Sequence, residues 1–251
     1  MQGRRPGGPA PIYTDPAQRG ALMSLFEDGF PGLPGGIVDA ARAGFHWDAV
    51  TEPFVARDDA GLVAHVGVLE HRVRLMGRER LVAGVHAVVT RSDARGRGWS
   101  RTVQHHALAW ADERYYLAKL STDDPEVYVS QGFVPVAEHR FRVPHTGGRN
   151  LGRPLPPSRH AWFLAGCAER DPVSDVFASM DPGWLVGINL HLSGRTLGDL
   201  VWLEHLDAVV DWQVVDRELR LHDVFARRLP SLDALMEAAP PHETVLLCVG
   251  R

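Results

Sequence analysis

A segment rich in arginine and glycine, residues 91–101 (RSDARGRGWSR), has the residue types that most clearly favour chemistry. It follows an apolar run, LVAGVHAVVT, that is typical of a strand, and it precedes residues with helical spacing. In a strand, glycine turn and helix, backbone N–H groups and a helix N-terminus converge on one point, and guanidinium groups add forked donors. The segment therefore predicts a site for an anionic group. A solvated, arginine-rich turn without a ligand is the alternative.

Three familiar motifs do not fit this segment. A P-loop requires GxxxxGK[ST], but the segment contains no lysine. The dinucleotide-binding fingerprint requires a third glycine three residues after Gly98, where Arg101 stands. A nucleophile elbow, GxSxG, is absent from the sequence. The pattern that remains is [QR]-x-x-G-x-[GA], which is met by Arg95 and Gly98 and, with serine at the last position, by Ser100.

A second segment, VYVSQGF, has Tyr128 four residues before Gly132, which Phe133 follows. One predicted helix and one predicted strand separate it from the glycine loop. The two segments at this spacing resemble the signatures of the GCN5-related N-acetyltransferase (GNAT) family. The resemblance covers roughly residues 10–142, and within the family it is nearest to the enhanced-intracellular-survival type.

The resemblance implies that acetyl-CoA, as the acyl donor, lies in a cleft where the strand before the loop diverges from the strand at residues 115–121. Pantetheine would bond to the backbone of residues 88–90, and loop N–H groups would hold the pyrophosphate. The arginine side chains at positions 91, 95, 97 and 101 are candidates for the remaining phosphates. The cofactor-binding residues that the resemblance implies are Val88, Val89, Thr90, Arg95, Gly96, Arg97, Gly98, Trp99, Ser100, Arg101 and Ser121.

The resemblance also implies a mechanism in which a neutral amine attacks the thioester directly and a backbone N–H stabilises the oxyanion. By position, Tyr128 resembles the family's general acid, which protonates the departing thiolate; a tyrosine that packs beneath the cofactor is the alternative. The general base is open between His86, Glu70 and a water-mediated route, since a one-residue change of register reverses the face of either side chain.

Residues 25–32 (LFEDGFPG) stand where the family has its acceptor-side loops. Phe26, Glu27 and Asp28 are therefore the predicted substrate-binding residues, with the two carboxylates attracting a cationic amine; a solvated helix end is the alternative. No HxxxH or CxxC spacing supports a zinc site, so no metal is expected.

The elements that must position these residues are predicted in the order β-α-α-β-β-β-loop-α-β-α-β. This order implies an α/β, GNAT-like fold with a mixed, mostly antiparallel central sheet flanked by helices. The predicted strands are residues 12–14, 53–58, 61–76, 78–90, 115–122 and 132–143, and the predicted helices are residues 16–30, 36–43, 100–114 and 124–131.

The remainder of the chain is predicted to be a linker and a smaller C-terminal α/β module. Residues 143–160 are rich in proline and glycine and have no periodicity. This gives domains at residues 1–142 and 161–251, the second a candidate degenerate GNAT-like half that serves as a scaffold or dimer interface. Its predicted elements are a helix at 175–180, strands at 184–192 and 197–205, a hairpin at 208–225, a helix at 231–239 and a strand at 243–249.

Composition is that of a soluble globular protein: the 251 residues are 45% hydrophobic and 23% charged, with a net charge of −4. No apolar run is long enough to cross a bilayer, and the N-terminal residues lack the apolar region of a secretory signal. The two cysteines, Cys167 and Cys248, fit no CxxC pattern and are expected to be reduced core residues of a cytoplasmic protein. Lys119 is the only lysine among 27 basic residues, a skew typical of GC-rich bacterial genomes.

The predicted function is that of a bacterial, cytoplasmic N-acyltransferase that transfers acetyl from acetyl-CoA to a small-molecule amine. The mild net negative charge disfavours nucleic acid as a partner, no membrane association is expected, and a homo-oligomer is left open. The alternative is a non-catalytic acetyl-CoA-binding module in which the glycine loop is kept and turnover is not.

Overall fold

The structure is a computed structural model, and it describes residues 11–137 and 139–247. These residues form a mixed α/β fold with two compact units. The first unit contains residues 11–71, 81–136 and 191–193, and the second contains the other described residues. Both units are therefore assembled from separate stretches of the chain, whereas the sequence predicted consecutive domains with boundaries at residues 142 and 160.

The first unit begins with three helices, α1 (Pro11–Thr14), α2 (Pro16–Gly29) and α3 (Leu33–Arg42). The Asp15 carboxylate caps α2 by accepting the Gln18 N–H at 2.9 Å. The two helices predicted at residues 16–30 and 36–43 are confirmed. The strand predicted at 12–14 is wrong, because so short an apolar run carries no period and its residues form α1 instead.

Three long strands and one short one follow: β1 (Thr51–Asp58), β2 (Gly61–Leu75), β3 (Arg78–Thr90) and β4 (Ala118–Lys119), in the spatial order β1-β2-β3-β4. β1 and β2 are antiparallel, whereas β3 and β4 are parallel. A tight turn with left-handed residues, Met76 (φ 49°) and Gly77 (φ 73°), joins β2 to β3. The three predicted long strands are confirmed, but the strand predicted at 115–122 is only two residues long.

Helix α4 (Trp99–Asp112) covers one face of this sheet and confirms the helix predicted at 100–114. Its buried face consists of Val103, Ala107 and Ala111, which pack in one cluster with the buried residues of β2 and β3. The short helix α5 (Glu126–Val129) follows β4 and confirms the predicted helical turn. The strand predicted at 132–143 is wrong over its first part, since the described residues from Phe133 to Arg140 are irregular.

The second unit has a six-stranded sheet of spatial order β5-β11-β10-β9-β8-β6, in which β10 and β11 are parallel and the other pairs are antiparallel. The elements after α5 are β5 (Phe141–Gly147), β6 (Arg153–Pro154), α6 (Pro157–Gly166), β7 (Phe177–Ser179), α7 (Gly183–Leu192), β8 (Val201–Leu203), β9 (Ala208–Val215), β10 (Glu218–Ala226), α8 (Leu232–Ala238) and β11 (His242–Leu247). β7 pairs with the last residues of β2, Val73 to Leu75.

In the second unit the predicted hairpin, the helix at 231–239 and the last strand are confirmed. The strand predicted at 197–205 is shorter than expected, since only β8 forms within it. Three other predictions are wrong. The linker at 143–160 contains β5 and β6, the helix at 175–180 is β7, and the strand at 184–192 is α7. Helix α7 carries buried apolar residues on several sides, so its sequence shows no helical period that distinguishes it from a buried strand.

Both units contain a hairpin, a helix and a strand parallel to the second hairpin strand. The first unit has β2-β3-α4-β4 and the second has β9-β10-α8-β11.

Cys167, in the second unit, is buried and free, and burial raises the pKa of its thiol to about 12. Cys248 lies outside the described residues. Within the described ranges, no helix combines the length and apolar character that crossing a membrane requires.

Candidate active site

The pairing between β3 and β4 ends early and leaves one edge of β3 open. The parallel register consists of Ala83 with Ala118 and Gly84 with Lys119. β3 continues to Thr90, and none of the described strands pairs with this edge beyond Gly84. The predicted divergence of the two strands is therefore present, and it gives an extended backbone edge next to the glycine loop.

The open edge contains a one-residue irregularity at Ala87. The N–H of Ala83 donates to the Leu117 carbonyl toward β4, whereas the N–H of Arg91 donates to the Val63 carbonyl on β2, both at 2.9 Å. In a regular strand, two residues separated by an even number of positions donate toward the same edge. The opposite directions require a bulge between them, and Ala87 has the one left-handed φ of β3, at 48°. Counting back from Arg91, the N–H groups of Thr90 and Val88 face the open edge.

A buried histidine holds the carbonyl of this bulge. His65 Nδ1 lies 2.9 Å from the Ala87 oxygen, and its Nε2 lies 3.4 Å from the Tyr13 hydroxyl. Because a carbonyl oxygen only accepts, Nδ1 carries the hydrogen. Burial lowers the pKa of His65 to about 4, so the imidazole is neutral at neutral pH and Nε2 accepts the Tyr13 hydroxyl.

The glycine loop ends in an uncapped helix. Gly96 and Gly98 are left-handed, with φ of 76° and 83°, and Gly98 is the N-cap of α4 without a side chain to bond its first N–H groups. No acidic residue stands in the first turn. A cavity of about 320 Å³ opens at this point, lined by Thr90, Ala94, Arg95, Gly96, Gly98, Trp99, Ser100 and Val127. These backbone donors and the positive helix end favour an anion.

Two hydroxyl groups of the cavity wall differ in their bonding. The Thr90 Oγ1 atom is buried and has no hydrogen-bond partner among the described residues. The Ser100 hydroxyl accepts from the Gln104 amide at 2.7 Å. Its own hydrogen can therefore still be donated into the cavity.

Hydrogen bonds to carboxylates fix the start of the loop. Arg91 donates to Asp58 at 2.7 Å and to Asp93 at 2.6 Å, so its guanidinium is engaged within the protein and not directed to a phosphate. The Ser92 N–H donates to Asp28 at 2.6 Å, and this bond lowers the pKa of the Asp28 carboxyl. Both contacts hold the segment that joins β3 to the cavity.

The other three loop arginines are exposed. Arg95 Nε donates to the Thr90 carbonyl at 3.1 Å. For Arg97 and Arg101, the described part of the chain provides no ion-pair partner, so both guanidinium groups are available to an anionic ligand. The prediction that Arg95, Arg97 and Arg101 contact phosphates stays a prediction.

Tyr128 lies on α5, the helix whose Val127 lines the cavity. Its half-buried ring packs edge-on against Phe133 with centroids 5.9 Å apart. The left-handed Gly132 (φ 91°) lets the chain turn so that the Phe133 N–H bonds the Tyr128 carbonyl. Burial, and then the nearby Asp124, raises the pKa of the phenol, and its hydroxyl has no hydrogen-bond partner within the described ranges. A protonated, unengaged hydroxyl is what a general acid requires.

The two candidate bases lie in different surroundings. His86 is half-buried, contacts Thr51 Oγ1 at 3.3 Å and packs edge-on against Trp47. Burial, together with the neighbouring histidines, lowers its pKa to about 3, which makes it a weak base. Glu70 is exposed and lies near Tyr115, whose pKa it helps to raise. Neither candidate is brought next to Tyr128 by a contact in the structure.

The predicted acceptor residues all have partners within the protein. Phe26 is fully buried and packs edge-on against Trp47 and His65. Glu27 accepts the Gly32 N–H at 3.1 Å, and Asp28 holds the loop as described above. Their prediction as substrate-binding residues therefore rests on sequence position alone.

The remaining predicted cofactor residues, Val88, Val89 and Ser121, have different surroundings. Val88 packs into the cluster under α4. Val89 packs closely against Gly29, so that a Cβ atom added to Gly29 would lie 2.3 Å from Val89 Cγ2. Ser121 is exposed, two residues beyond β4.

Sequence reasoning missed Tyr13, His65 and the bulge at Ala87, because no motif marks them. Among the described residues, no three His, Cys, Asp or Glu side chains are grouped as a metal site requires.

The sequence profile of the family described as Acetyltransferase (GNAT) domain matches residues 21–136. This part of the chain is a GNAT acetyltransferase domain. The predicted GNAT resemblance is thereby confirmed, and the matched residues include the open edge of β3, the glycine loop, α4 and Tyr128. A comparison with curated proteins finds no significant match.

Solved structures extend the GNAT likeness over both units at the level of fold. A GCN5-related N-acetyltransferase from Kribbella flavida is 18% identical and covers 92% of this chain, with a TM-score of 0.61. A probable N-acyltransferase from Enterococcus faecalis V583 is 11% identical, with a TM-score of 0.64 and the same coverage. Eis1 from Mycobacterium abscessus is 16% identical over 92% of the chain, with a TM-score of 0.63. The chain spans 61%, 62% and 63% of these proteins, respectively.

Proposed function

We propose that this protein is an N-acetyltransferase that moves the acetyl group of acetyl-CoA to a small-molecule amine. The observation that carries the proposal is the open edge of β3, which leads directly into a glycine loop and an uncapped helix. An extended ligand with an amide-rich arm and a pyrophosphate matches these backbone N–H groups, because the arm can pair with the open edge of β3 and the phosphates can bind at the start of α4. Family membership of residues 21–136 supports the same ligand.

In the proposed reaction, pantetheine pairs with the Val88 carbonyl and the Thr90 N–H at the open edge, which leaves the Val88 N–H for the thioester oxygen. The pyrophosphate accepts N–H groups of the loop and of the first turn of α4, with Arg97 and Arg101 available to the outer phosphates. Thr90 Oγ1 and Ser100 Oγ offer two further hydrogen-bonding atoms in the cavity wall. No carboxylate in that turn offsets the positive end of the helix.

The chemical step is a direct aminolysis. The neutral amine nitrogen attacks the thioester carbonyl carbon, and the carbonyl oxygen gains negative charge that a backbone N–H of the open edge stabilises. Collapse of the intermediate breaks the carbon–sulfur bond, and Tyr128 gives its phenolic proton to the thiolate and regains one from water. The amine nitrogen releases its proton through water, because the depressed pKa of His86 makes it a weak acceptor. The products are the amide and free coenzyme A.

We also propose that the second unit is a GNAT-like half without a cofactor site. Its equivalent helix, α8, begins after residues 227–231 (RRLPS), which contain no glycine. Ser231 caps α8 by accepting the Ala234 N–H at 3.2 Å, so the donor that a phosphate would use is already bonded. One acetyl-CoA site per chain follows from this difference.

The test is an acetylation assay of the full chain with acetyl-CoA and a panel of small primary amines. Thiol release is followed together with a mass increase of one acetyl group on the amine. Acetylated amine and free coenzyme A in equal amounts support the proposal. Binding of acetyl-CoA without turnover of any amine would favour the non-catalytic module, and absence of binding would refute both.

A further inference from the structure

The bulge of β3 is held by a side chain that no catalytic motif contains. Ala87 is in a left-handed conformation, which is unfavourable for a residue with a Cβ. Alanine has no polar side chain with which to stabilise this conformation locally. The bond from His65 Nδ1 to the Ala87 carbonyl, at 2.9 Å, holds this carbonyl toward His65.

The Ala87 carbonyl and the Val88 N–H belong to the same peptide group. A trans peptide is planar, and its C=O and N–H point in opposite directions. Holding the carbonyl toward His65 therefore directs the Val88 N–H away from His65. The alternation of hydrogen bonds along β3 independently assigns the Val88 N–H to the open edge. The two observations agree on one backbone donor aimed into the cleft.

From this geometry we propose that His65 is a positioning residue for the oxyanion donor, acting through the Ala87–Val88 peptide. The inference rests on the proposed acetyl transfer and adds a residue to it. In this proposal the His65 imidazole touches neither acetyl-CoA nor the amine substrate. It fixes the orientation of the peptide, and by bonding its oxygen it also polarises the N–H and strengthens it as a donor.

The surroundings of His65 suit this role. Its side chain is fully buried, so water cannot replace it at the Ala87 oxygen. Phe26 packs edge-on against the imidazole with centroids 4.9 Å apart, which limits rotation of the ring. The Tyr13 hydroxyl faces Nε2, which leaves Nδ1 as the nitrogen that carries hydrogen toward Ala87.

The chain offers a matched set of substitutions. In His65→Asn the side-chain amide nitrogen lies close to the position of Nδ1 and can still donate to Ala87. In His65→Gln the amide lies near the position of Nε2 and cannot, and His65→Leu has no donor. We expect His65→Gln and His65→Leu to lower kcat by about tenfold or more. This is less than the roughly 10²- to 10³-fold cost of losing an oxyanion donor, because the N–H remains and only its direction is freed. His65→Asn should keep most of the activity, and the Kd of acetyl-CoA should stay within about threefold in all three, since the phosphate contacts are remote.

A spectroscopic measurement separates positioning from a loss of folding. Isotope-edited infrared difference spectra of acetyl-CoA labelled at the thioester carbonyl report the hydrogen bond to that oxygen in the bound state. We expect the wild type and His65→Asn to shift the stretch to lower frequency than free acetyl-CoA, and His65→Gln to lose that shift. If His65→Leu does not fold, the comparison of Asn with Gln decides the point.

Equal kcat and equal carbonyl frequency in His65→Gln and the wild type would overturn the role of His65 and leave acetyl transfer intact. A wild type that turns over no amine would refute the proposed reaction, while the infrared comparison would still support or overturn the positioning. A wild type that does not bind acetyl-CoA would overturn both.

Discussion

At the scale of single residues, the proposed chemistry depends on two protons held in opposite ways. The Tyr128 phenol keeps its proton because burial raises its pKa, and its hydroxyl is unengaged among the described residues. The buried His65 stays neutral because burial lowers its pKa, and its Nδ1 hydrogen is committed to Ala87. The first proton is available for transfer, whereas the second has a structural task.

The role of Tyr128 is tested by Tyr128→Phe, which keeps the ring against Phe133 and removes only the hydroxyl. We expect kcat to fall by about 10²-fold, the usual contribution of a general acid. The affinity for acetyl-CoA should change by less than about 1 kcal/mol, because at most one neutral hydrogen bond is lost. Thiol release under saturating substrate measures the first quantity, and calorimetry measures the second. Turnover at the wild-type rate would make Tyr128 a packing residue.

The depressed pKa of His65 predicts a pH dependence of stability. The unfolded histidine takes up a proton below its ordinary pKa of 6.5, whereas the folded one does so only near pH 4. The unfolded state therefore binds more protons between these values, and stability is lost as the pH falls through this window. From pH 7 to pH 5 this residue should cost the wild type about 2 kcal/mol of unfolding free energy.

The control for this effect is His65→Asn, which cannot titrate there, while the contribution expected from the lowered pKa of His86 remains in both proteins. Urea denaturation at pH 7 and pH 5 gives the two free energies. The wild type should lose more stability than His65→Asn over this interval. Equal losses would show that His65 titrates normally in the folded protein.

At the scale of elements, the cavity depends on how the loop is tied to the strand and to α2. Asp28, near the end of α2, accepts the Ser92 N–H, and Asp58 on β1 holds Arg91. These contacts link two neighbouring elements to the loop that precedes α4. The sequence favoured a substrate-attracting role for Asp28, but the structure gives its carboxylate a partner in the backbone.

Asp28→Ala should weaken acetyl-CoA binding several-fold. Without the bond from Ser92 to Asp28, the glycine loop must become ordered when acetyl-CoA binds, and this ordering costs binding free energy. The neighbouring Glu27→Ala is the control, since Glu27 bonds Gly32 at the start of α3 and does not touch the loop. Equilibrium binding at neutral pH, with melting temperatures recorded in parallel, separates the two variants. Equal affinities for both variants would show that the Asp28 bond does not organise the cavity.

The sequence predicted most elements of the first unit because their patterns are regular. Turns that contain glycine separate β1, β2 and β3, and the buried face of α4 follows the helical period. It failed for α7 because an apolar helix buried on several sides has no polar stripe. It also could not locate the Ala87 bulge, since alanine is not a residue that marks a left-handed conformation.

At the scale of the whole molecule, each compact unit contains segments that are distant in sequence. In the first unit, His191 packs on Phe45 with ring centroids 5.3 Å apart, and Gly36 lies close to the backbone of Leu192. In the second, β7 pairs with the end of β2, where Val73 is fully buried. Such interleaving leaves no signal in local composition, so the sequence suggested consecutive domains.

A fragment of residues 1–136 should therefore aggregate or melt well below the full chain. It lacks the residues that cover Phe45 and the strand that pairs with the end of β2. Circular dichroism and light scattering on the fragment and the full chain measure the difference, and co-expression with residues 137–251 should restore part of the loss. A monomeric fragment with the melting temperature and acetyl-CoA affinity of the full chain would contradict this expectation.

The central claim, that the glycine loop binds acetyl-CoA through its backbone, is tested most directly by calorimetric titration of Gly98→Val. The space beside Gly98 is open, with no described heavy atom within 4 Å of a Cβ built there. Gly77→Val is the control, because Gly77 has a similar φ of 73° and equally open surroundings outside the loop. The wild type and Gly77→Val should each bind one acetyl-CoA per chain, and folded Gly98→Val should bind more weakly by about 2 kcal/mol or more, as expected when charge-assisted hydrogen bonds are lost. A folded Gly98→Val protein with wild-type affinity would contradict the account.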